Sequence, residues 1–260
     1  MGIVNVTPDS FSDGGQFAAT DRAVEHGLRL AAEGADILDI GGESSRPGSK
    51  PVSLEEELTR VIPVVRQLAS QVTIPVSVDT TKAEVARQAL AAGAAIINDI
   101  SAGLGDPDMA EVVRASGAGI VLMHMQGVPE TMHLRPAYGD VVTEVRDFLS
   151  ERVSAFQSVG VALDQIVVDP GISFGKTFEH NLLLLRNLEK IASIGRPVLL
   201  GVSRKGMLGT ITGRPVTERA VASIAVGCYC VSRGSAHILR VHDVAATVDA
   251  AKIVGAISAA

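Results

Sequence analysis

The sequence alternates eight times between a short, mainly apolar run and a longer segment with the periodicity of an amphipathic helix. The eight runs cover residues 2–6, 36–40, 75–78, 95–99, 119–123, 165–168, 197–201 and 237–241. Runs that do not alternate apolar with polar residues are typical of parallel strands buried on both faces. Eight such strand–helix units predict one α/β domain over residues 1–260, a (β/α)8 TIM barrel.

An open, doubly wound parallel sheet is the alternative architecture for this pattern. The Gly-x-Gly-x-x-Gly turn that binds a dinucleotide in many such sheets does not follow the first run. This absence and the number of runs favour the barrel. Because 47% of the residues are hydrophobic but only 3% are aromatic, the predicted core is aliphatic.

Capping signals delimit the predicted helices between the runs. Ser53, with Glu56 three residues later, predicts a capping box at the start of a helix that ends near Ser70. Segments 179–194 and 217–233 are each predicted as one helix. Four predicted helices end at a glycine, the residue that most readily closes a helix in the left-handed conformation: Gly93, Gly160, Gly195 and Gly234.

Charge and apolar patterning exclude two classes of partner. The net charge is −6 and there is no basic run, so the chain lacks an electrostatic footprint for nucleic acid. No apolar stretch is long enough to span a bilayer, and the start of the sequence lacks a signal-peptide pattern. Cys228 and Cys230 are two residues apart in a helical segment and make a poor metal pair. We therefore expect a cytoplasmic protein without nucleic-acid or membrane partners.

Polar or ionisable residues stand at or just beyond the end of every predicted strand. The active site of a TIM barrel lies at the carboxyl ends of its strands, and a polar group in that mouth is costly unless it is paired or used. We therefore interpret this ring as functional. Its members are Asn5, Asp39, Glu43, Asp79, Asn98, Asp99, His124, Asp169, Ser203, Arg204, Lys205, Arg240 and His242.

The ring divides into two chemical groups. Asp79, Asn98 and Asp169 suit a flat heterocycle with ring N–H, amino and carbonyl groups. Alternatively, Asp79 caps a helix and Asp169 belongs to a simple turn with Pro170 and Gly171. The basic residues Arg46, Lys205, Arg240 and His242 predict an anion site, because the seventh and eighth loops commonly bind phosphate in barrels. A salt-bridged Arg240 is the alternative there.

Eight segments in fixed order resemble the motifs of the bacterial dihydropteroate synthases, a pterin-binding family. They are NVTPDSFSDGG, GGESSRPG, SVDT, IINDISAG, LMHMQG, VVDPGISFGKT, GVSRKGMLG and RVHDV. The resemblance covers the chain from Met1 to the final helix. It implies a TIM-barrel enzyme of folate synthesis that joins 6-hydroxymethyl-7,8-dihydropterin diphosphate to 4-aminobenzoate, with Mg²⁺, and releases pyrophosphate.

The resemblance also implies roles for individual residues. The pterin contacts match Asp79, Asn98, Met123, Asp169, Phe174 and Lys205. The diphosphate contacts match Asn5, Arg46, Arg240 and His242, and Asn5 is the implied Mg²⁺ ligand. The aminobenzoate contacts match Ser45, Arg46, Phe174 and Ser203. The catalytic set it implies is Asp79, Asp169, Lys205, Arg240 and His242.

Further expectations follow from the same resemblance. We expect mobile loops at Asp9, Ser10, Phe11, Asp13 and Pro47. Ser173 stands where the family usually has glycine, so the loop that carries Phe174 is expected to be slightly altered. Sulfonamides, which mimic aminobenzoate, are expected inhibitors, and the apolar helix at 221–231 predicts a homodimer. The alternatives are a pterin-dependent methyltransferase acting on a corrinoid protein and a non-catalytic pterin-binding homologue.

Overall fold

The protein was analysed as a computed structural model, which describes residues 1–6 and 15–260. The predicted mobile residues Asp9, Ser10, Phe11 and Asp13 lie outside the described residues. The strands are β1 (Gly2–Asn5), β2 (Leu38–Gly41), β3 (Val76–Asp79), β4 (Ile96–Asp99), β5 (Gly119–Met123), β6 (Ile166–Asp169), β7 (Leu199–Leu200) and β8 (Ile238–Leu239). The helices are α1 (Gly15–Ala32), α2 (Leu54–Gln71), α3 (Ala83–Ala91), α4 (Met109–Ser116), α5 (Val141–Ser158), α6 (Phe178–Arg186), α7 (Leu188–Ala192), α8 (Gly206–Thr212), α9 (Ala220–Ser232) and α10 (Val244–Ser258).

The strands close into a barrel in chain order. Strands β1 to β6 pair as parallel neighbours, and β7 pairs in parallel with β8. Single parallel bridges complete the circle, between Val168 and Val198 on one side and between Gly2 and Val241 on the other. The predicted (β/α)8 barrel is therefore confirmed, and the open doubly wound sheet is wrong.

Both faces of the strands are buried, which explains their apolar sequences. The outer face packs against the helices in one large cluster that includes Ile40, Val78, Ile97 and Leu122. The barrel interior holds a second, smaller group, here called the inner cluster. It consists of Met1, Val121 and Leu199 with the partly buried Ile37, Ile96, Val167 and Ile238.

The inner cluster shows which face of each strand points into the barrel, and therefore which residues at the strand ends point into the mouth. Successive side chains of a strand alternate between faces, so a residue two positions after an inward-pointing one also points inward. Five candidate residues follow members of the inner cluster at this spacing: Asp39, Asn98, Met123, Asp169 and Arg240. The aliphatic interior thus ends where the polar ring begins.

Helix α2 begins as predicted, but only half of the capping box forms. Ser53 Oγ accepts a hydrogen bond from Glu56 N at 3.1 Å. The Glu56 side chain instead binds Arg60 one turn later, as an ion pair along the exposed helix surface. The predicted hydrogen bond from Ser53 N to the Glu56 side chain is therefore wrong, because Arg60, four residues after Glu56, competes for the carboxylate.

Two helix predictions need correction in the second half of the chain. The segment predicted as one helix over 179–194 is split at Asn187 into α6 and α7. The segment predicted over 217–233 begins as a short 3-10 turn, Val216–Glu218, ahead of α9. The predicted terminal glycines have positive φ angles of 111° at Gly93, 98° at Gly160, 78° at Gly195 and 65° at Gly234. In the described ranges, every helix is too short or too polar to cross a bilayer.

Candidate active site at the carboxyl ends of the strands

An arginine from β8's end lies between two carboxylates from β2 and β3. Arg240 Nε donates to Asp39 Oδ2 at 2.6 Å, and its Nη2 donates to Asp79 Oδ2 at 2.9 Å. The alternative of a salt-bridged Arg240 is thus correct as geometry, and it does not exclude an anion site. The guanidinium of Arg240 faces into the mouth, so an anion bound there would interact with the same positive charge that the two carboxylates already contact.

Asp39 is the hub of this arrangement, and sequence reasoning assigned it no role beyond membership of the ring. It is fully buried, and its Oδ2 also accepts a hydrogen bond from Asn98 Nδ2 at 3.1 Å. Among the described residues, its Oδ1 has no hydrogen-bond partner. The signal in the sequence was its position two residues after Ile37 within one predicted strand, which places both side chains on the same face. In the structure Ile37 belongs to the inner cluster, so Asp39 points inward.

Asp79 lies at the inner wall of the mouth, where burial and the pairing with Arg240 have opposite effects on its ionised form. Burial raises the pKa of Asp79 to about 7, with Arg240 opposing the shift and Asp39 adding to it. The alternative that Asp79 caps a helix is wrong. Helix α3 starts after Lys82, and Asp79 instead pairs with Arg240 across the barrel.

Asp169 combines a turn contact with an inward position. Its Oδ1 accepts a hydrogen bond from Gly171 N at 2.7 Å, so the turn alternative is correct for one oxygen. Burial raises the pKa of Asp169, while the charges of Lys205 and Arg240 lower it. The second carboxylate oxygen remains available to a ligand in the mouth.

Lys205 and Phe174 form one side of the mouth. Lys205 Nζ donates to the carbonyl of Ile172 and lies 4.7 Å from the centroid of the Phe174 ring. Burial lowers the pKa of Lys205 to about 8, although the nearby Asp169 carboxylate raises it. A cation over a ring face is a favourable contact, and it holds the ring beside the ammonium group.

The loop that carries Phe174 packs tightly on the loop after β5. Gly171, Ser173 and Gly175 have φ angles of 64°, 70° and 61°. A Cβ atom on Gly171 would lie 1.9 Å from His124 O, so only glycine fits there. Ser173 adopts the left-handed conformation that glycine prefers, and its N–H donates to Asn181 Oδ1 at 2.6 Å.

A buried lysine joins the same two loops, and sequence reasoning missed it. Lys176 Nζ lies 2.9 Å from His124 Nδ1 and donates to Gly171 O at 2.9 Å and to Phe174 O at 3.0 Å. Burial lowers the pKa of Lys176 well below its usual value. Burial, followed by the charge of Lys176, lowers the pKa of His124 to about 3. Gly171 and Phe174 lie in the same loop as Lys176, and His124 comes from the loop after β5, so the burial of this lysine depends on the packing of the two loops and has no local sequence pattern.

His242 and Ser203 form a pair at the ends of β7 and β8. Ser203 Oγ lies 2.9 Å from His242 Nδ1 and accepts from His242 N at 3.1 Å. Burial, followed by the charges of Arg204 and Arg240, lowers the pKa of His242 to about 4. Arg204 makes a two-point ion pair with Asp243, which fixes the segment beside Ser203.

The remaining predicted residues lie around the same opening. Arg46 and Pro47 are exposed on the loop after β2, and the charge of Arg46 contributes to lowering the pKa of His242. Ser45 lines a small cavity together with Asp79. Asn5 ends β1, and Met123 is opposite Asp169 in the β5–β6 register.

Comparison with known proteins identifies the relatives of this barrel. The model of a family described as pterin binding enzyme matches residues 1–242. The dihydropteroate synthase of Synechocystis is 45% identical over 257 residues, which cover 99% of this chain and 89% of that protein. The chain belongs to the dihydropteroate synthase family.

Solved structures of this family share the whole barrel. Dihydropteroate synthase of Xanthomonas albilineans, solved with 4-aminobenzoic acid, is 50% identical, with a TM-score of 0.94 over 100% of this chain and 93% of that one. The Yersinia pestis dihydropteroate synthase, solved with a sulfonamide drug complex, is 43% identical, with a TM-score of 0.94 and coverage of 100% and 94%. The resemblance found in the eight motifs is confirmed.

Proposed function

We propose that the protein is a dihydropteroate synthase, which condenses 6-hydroxymethyl-7,8-dihydropterin diphosphate with 4-aminobenzoate. One observation carries this assignment: Arg240 bridges Asp39 and Asp79 at the mouth of a barrel of this family. The bridge brings the predicted anion group beside the predicted heterocycle group. Residues 1–260 form one domain that contains both.

The heterocycle site consists of hydrogen-bonding groups with an aromatic side wall. Asp79, Asn98 and Asp169 accept from the ring N–H and amino groups of the pterin. Lys205 donates to the ring. Phe174, held by Lys205 at 4.7 Å, and Met123 supply the polarisable surfaces against which a flat ring packs.

The diphosphate site consists of Arg240, His242 and Arg46, with Asn5 as the ligand to Mg²⁺. Among the described residues, no three His, Cys, Asp or Glu side chains gather to hold a metal. Diphosphate oxygens would therefore provide most of the coordination, and a single neutral amide from the protein fits that arrangement. When bound, Mg²⁺ supplies positive charge that favours departure of the diphosphate.

The geometry explains catalysis without an activated nucleophile. The bond from the methylene carbon to the diphosphate oxygen breaks, and the electron pair leaves with the diphosphate toward Arg240 and His242. Asp79 and Asp169 stabilise the positive charge that develops on the pterin. The neutral arylamine then forms the carbon–nitrogen bond, and the resulting ammonium group loses one proton to water. An arylamine needs no general base to become nucleophilic, so no Ser–His or Cys–His pair is required.

The aminobenzoate site lies toward solvent, between the loops after β2, β6 and β7. Its residues are Ser45, Arg46, Phe174 and Ser203. Arg46 is exposed, and its charge suits the aminobenzoate carboxylate. Sulfonamides compete for this site. This proposal is supported by the 4-aminobenzoic acid and the sulfonamide in the relatives described above.

The protein acts in the cytoplasm as a homodimer that pairs through α9 and α10. These two helices pack on each other and present Val221, Tyr229, Ile253 and Ile257 to solvent. Ile253 is 62% exposed and Val221 is 79% exposed, which is unusual for aliphatic side chains on neighbouring helices. A second copy would bury this surface.

A turnover assay tests the proposed reaction. Purified protein with Mg²⁺ and the dihydropterin diphosphate should release pyrophosphate only when 4-aminobenzoate is added, and a sulfonamide should suppress the release. Arg240→Gln keeps hydrogen-bonding capacity but removes the charge, so it should lower the rate strongly. Pterin binding without pyrophosphate release would contradict the synthase and favour a non-catalytic homologue. Methyl transfer to a corrinoid protein would favour the methyltransferase.

A further inference from the structure

The loop between β2 and α2 is closed at its base by one carboxylate. Glu43 follows β2, and its Oε2 accepts a hydrogen bond at 3.3 Å from the N–H of Val52, just before α2. The same oxygen accepts from Lys82 Nζ at 2.6 Å. Between these two ends the loop carries Ser45 and Arg46, which belong to the proposed aminobenzoate site. Glu43 therefore joins the two ends of the loop, and Lys82 is its charged partner.

Lys82 reaches Glu43 from a fixed point of the scaffold. It stands at the start of α3, where its N–H donates to Thr80 Oγ1 at 3.2 Å. The next residue, Ala83, donates its N–H to Asp106 Oδ2 at 2.9 Å. The ammonium group thus comes from a segment that is held by its own hydrogen bonds, independently of the loop after β2.

A buried acid on α2 holds the ammonium group from the other side. Glu57 is 1% exposed, and its Oε2 accepts from Lys82 Nζ at 2.5 Å. Among the described residues its Oε1 has no hydrogen-bond partner, so the pairing with Lys82 stabilises a carboxylate whose burial would otherwise be costly. Lys82 cannot turn out to solvent without leaving Glu57 unpaired, and it therefore remains beside Glu43.

The exposed part of the loop keeps its shape through internal hydrogen bonds. Ser49 Oγ donates to Ser44 O at 2.5 Å and to Arg46 O at 2.7 Å. Gly48 N donates to Pro129 O, in the loop after β5, at 2.9 Å. Because the loop is bonded to itself, it moves as a unit, and its contacts at the base and at Pro129 set where Arg46 lies.

The ion pairs of Lys82 adjoin the proposed site. Glu43 and Glu57 line a small cavity together with Ser45 from the loop and Asp79 from the proposed pterin site. A displacement of the loop base would therefore move Ser45 relative to Asp79. It would leave Asp79 itself in place, because that residue belongs to β3.

We infer that Lys82 is a positioning residue for the aminobenzoate. It holds Glu43, and through Glu43 it keeps the loop after β2 in the position where Ser45 borders the cavity beside Asp79. Lys82 is not among the residues proposed to contact either substrate, so its loss weakens the aminobenzoate site and spares the pterin site. The inference rests on the proposed function, because it requires aminobenzoate to bind at this loop.

The test compares two variants that differ only at position 82. Lys82→Met/Glu57→Gln removes the ammonium group together with the buried acid that it would leave unpaired, whereas Glu57→Gln alone keeps the pair of Lys82 and Glu43. With Mg²⁺ and saturating dihydropterin diphosphate, the KM for 4-aminobenzoate should rise roughly three- to tenfold in the double variant, the effect of one partly buried charged hydrogen bond. It should stay near the unmodified value in Glu57→Gln, and the KM for the dihydropterin diphosphate should stay the same in both.

Hydrogen exchange of the ligand-free protein gives a readout that does not depend on turnover. The amides of residues 44–52 should exchange faster in the double variant than in Glu57→Gln, because the loop has lost its tie. The inference is overturned by an unchanged KM for 4-aminobenzoate in the double variant, by unchanged exchange in this segment, or by an equal rise of that KM in Glu57→Gln.

Glu43→Ala tests whether Lys82 acts through Glu43, and it covers the case in which the double variant fails to fold, as judged by circular dichroism. It breaks the tie but keeps the buried pair of Lys82 and Glu57, so it should raise the KM for 4-aminobenzoate at least as much. Adding Lys82→Met and Glu57→Gln to Glu43→Ala should raise that KM no further. An unchanged KM in Glu43→Ala, or effects that add, would also overturn the inference.

The two proposals fail differently. If the unmodified protein releases no pyrophosphate with both substrates and Mg²⁺, the proposed function is wrong, and hydrogen exchange still decides whether Lys82 holds the loop. Release that continues with the same KM for 4-aminobenzoate in the double variant defeats only the role of Lys82.

Discussion

At the scale of the residue, the mouth of the barrel contains groups whose proton affinities converge near neutrality. Burial raises the pKa of Asp79 to about 7 and lowers that of Lys205 to about 8. Desolvation disfavours whichever form is charged, so it moves an acid and a base toward each other. Both groups belong to the proposed pterin site, where the ionised acid and the protonated amine are the useful forms.

These shifts predict a narrow, bell-shaped pH dependence of kcat/KM. The rate constant should rise as Asp79 loses its proton through about pH 7 and fall as Lys205 loses its proton through about pH 8. Lys205→Arg should remove the alkaline limb, because arginine stays protonated over this range. Asp79→Asn should remove the acid limb and lower activity at every pH. Steady-state kinetics between about pH 6 and 9 check both limbs, and an alkaline limb that persists in Lys205→Arg would refute the assignment.

Single residues also show where prediction from sequence stops. The ring of polar strand ends was visible because strand periodicity fixes which residues end each run. The Asp39–Arg240–Asp79 bridge was not visible, because it joins the second, third and eighth strands across the barrel. Lys176 was missed because its burial depends on how its own loop, which contains Gly171, packs against His124 in the loop after β5.

At the scale of the element, the loop after β6 holds a serine in a conformation suited to glycine. Ser173 has a φ of 70°, between two glycines that are also left-handed. We expected serine to alter this loop, but Ser173 keeps the left-handed backbone conformation that glycine prefers. The strain is local, and Asn181 and Lys176 hold the loop in place.

Ser173→Gly should stabilise the protein by up to about 1 kcal/mol, because it relieves a left-handed conformation at the cost of a more flexible unfolded chain. Ser193→Gly is the matched control, since Ser193 has a φ of −65° at the end of α7. That control should destabilise the protein by roughly 0.5–1 kcal/mol. Urea unfolding monitored by circular dichroism measures both changes. A loss of stability in Ser173→Gly as large as in the control would contradict the strain argument.

Helix boundaries were less predictable than strand positions. The eight runs were located because each is bounded by polar loops and packs on both faces. The break between α6 and α7 at Asn187 has no glycine or proline to announce it. Both parts pack against α5, so tertiary contacts there override the continuous helical pattern.

At the scale of the whole molecule, the exposed apolar surface of α9 and α10 predicts the state of assembly. Light scattering should give a mass near twice the 27.0 kDa of one chain. Ile253→Asp should shift the protein toward monomer, because a charge at a buried contact is costly. Leu134→Asp, on an exposed loop residue outside these helices, should leave the mass unchanged. A monomeric mass for the unmodified protein would rule out the proposed dimer.

The inner cluster has a consequence for the order of events during turnover. Aliphatic side chains of the described residues fill the barrel below the polar ring, so a ligand reaches that ring from the mouth. Asn98 and Asp169 lie deep beside that filling, whereas Arg46 lies at the surface. Under the site assignments proposed above, the pterin binds first and the aminobenzoate binds above it, so the product leaves through the same mouth with its aminobenzoate half first.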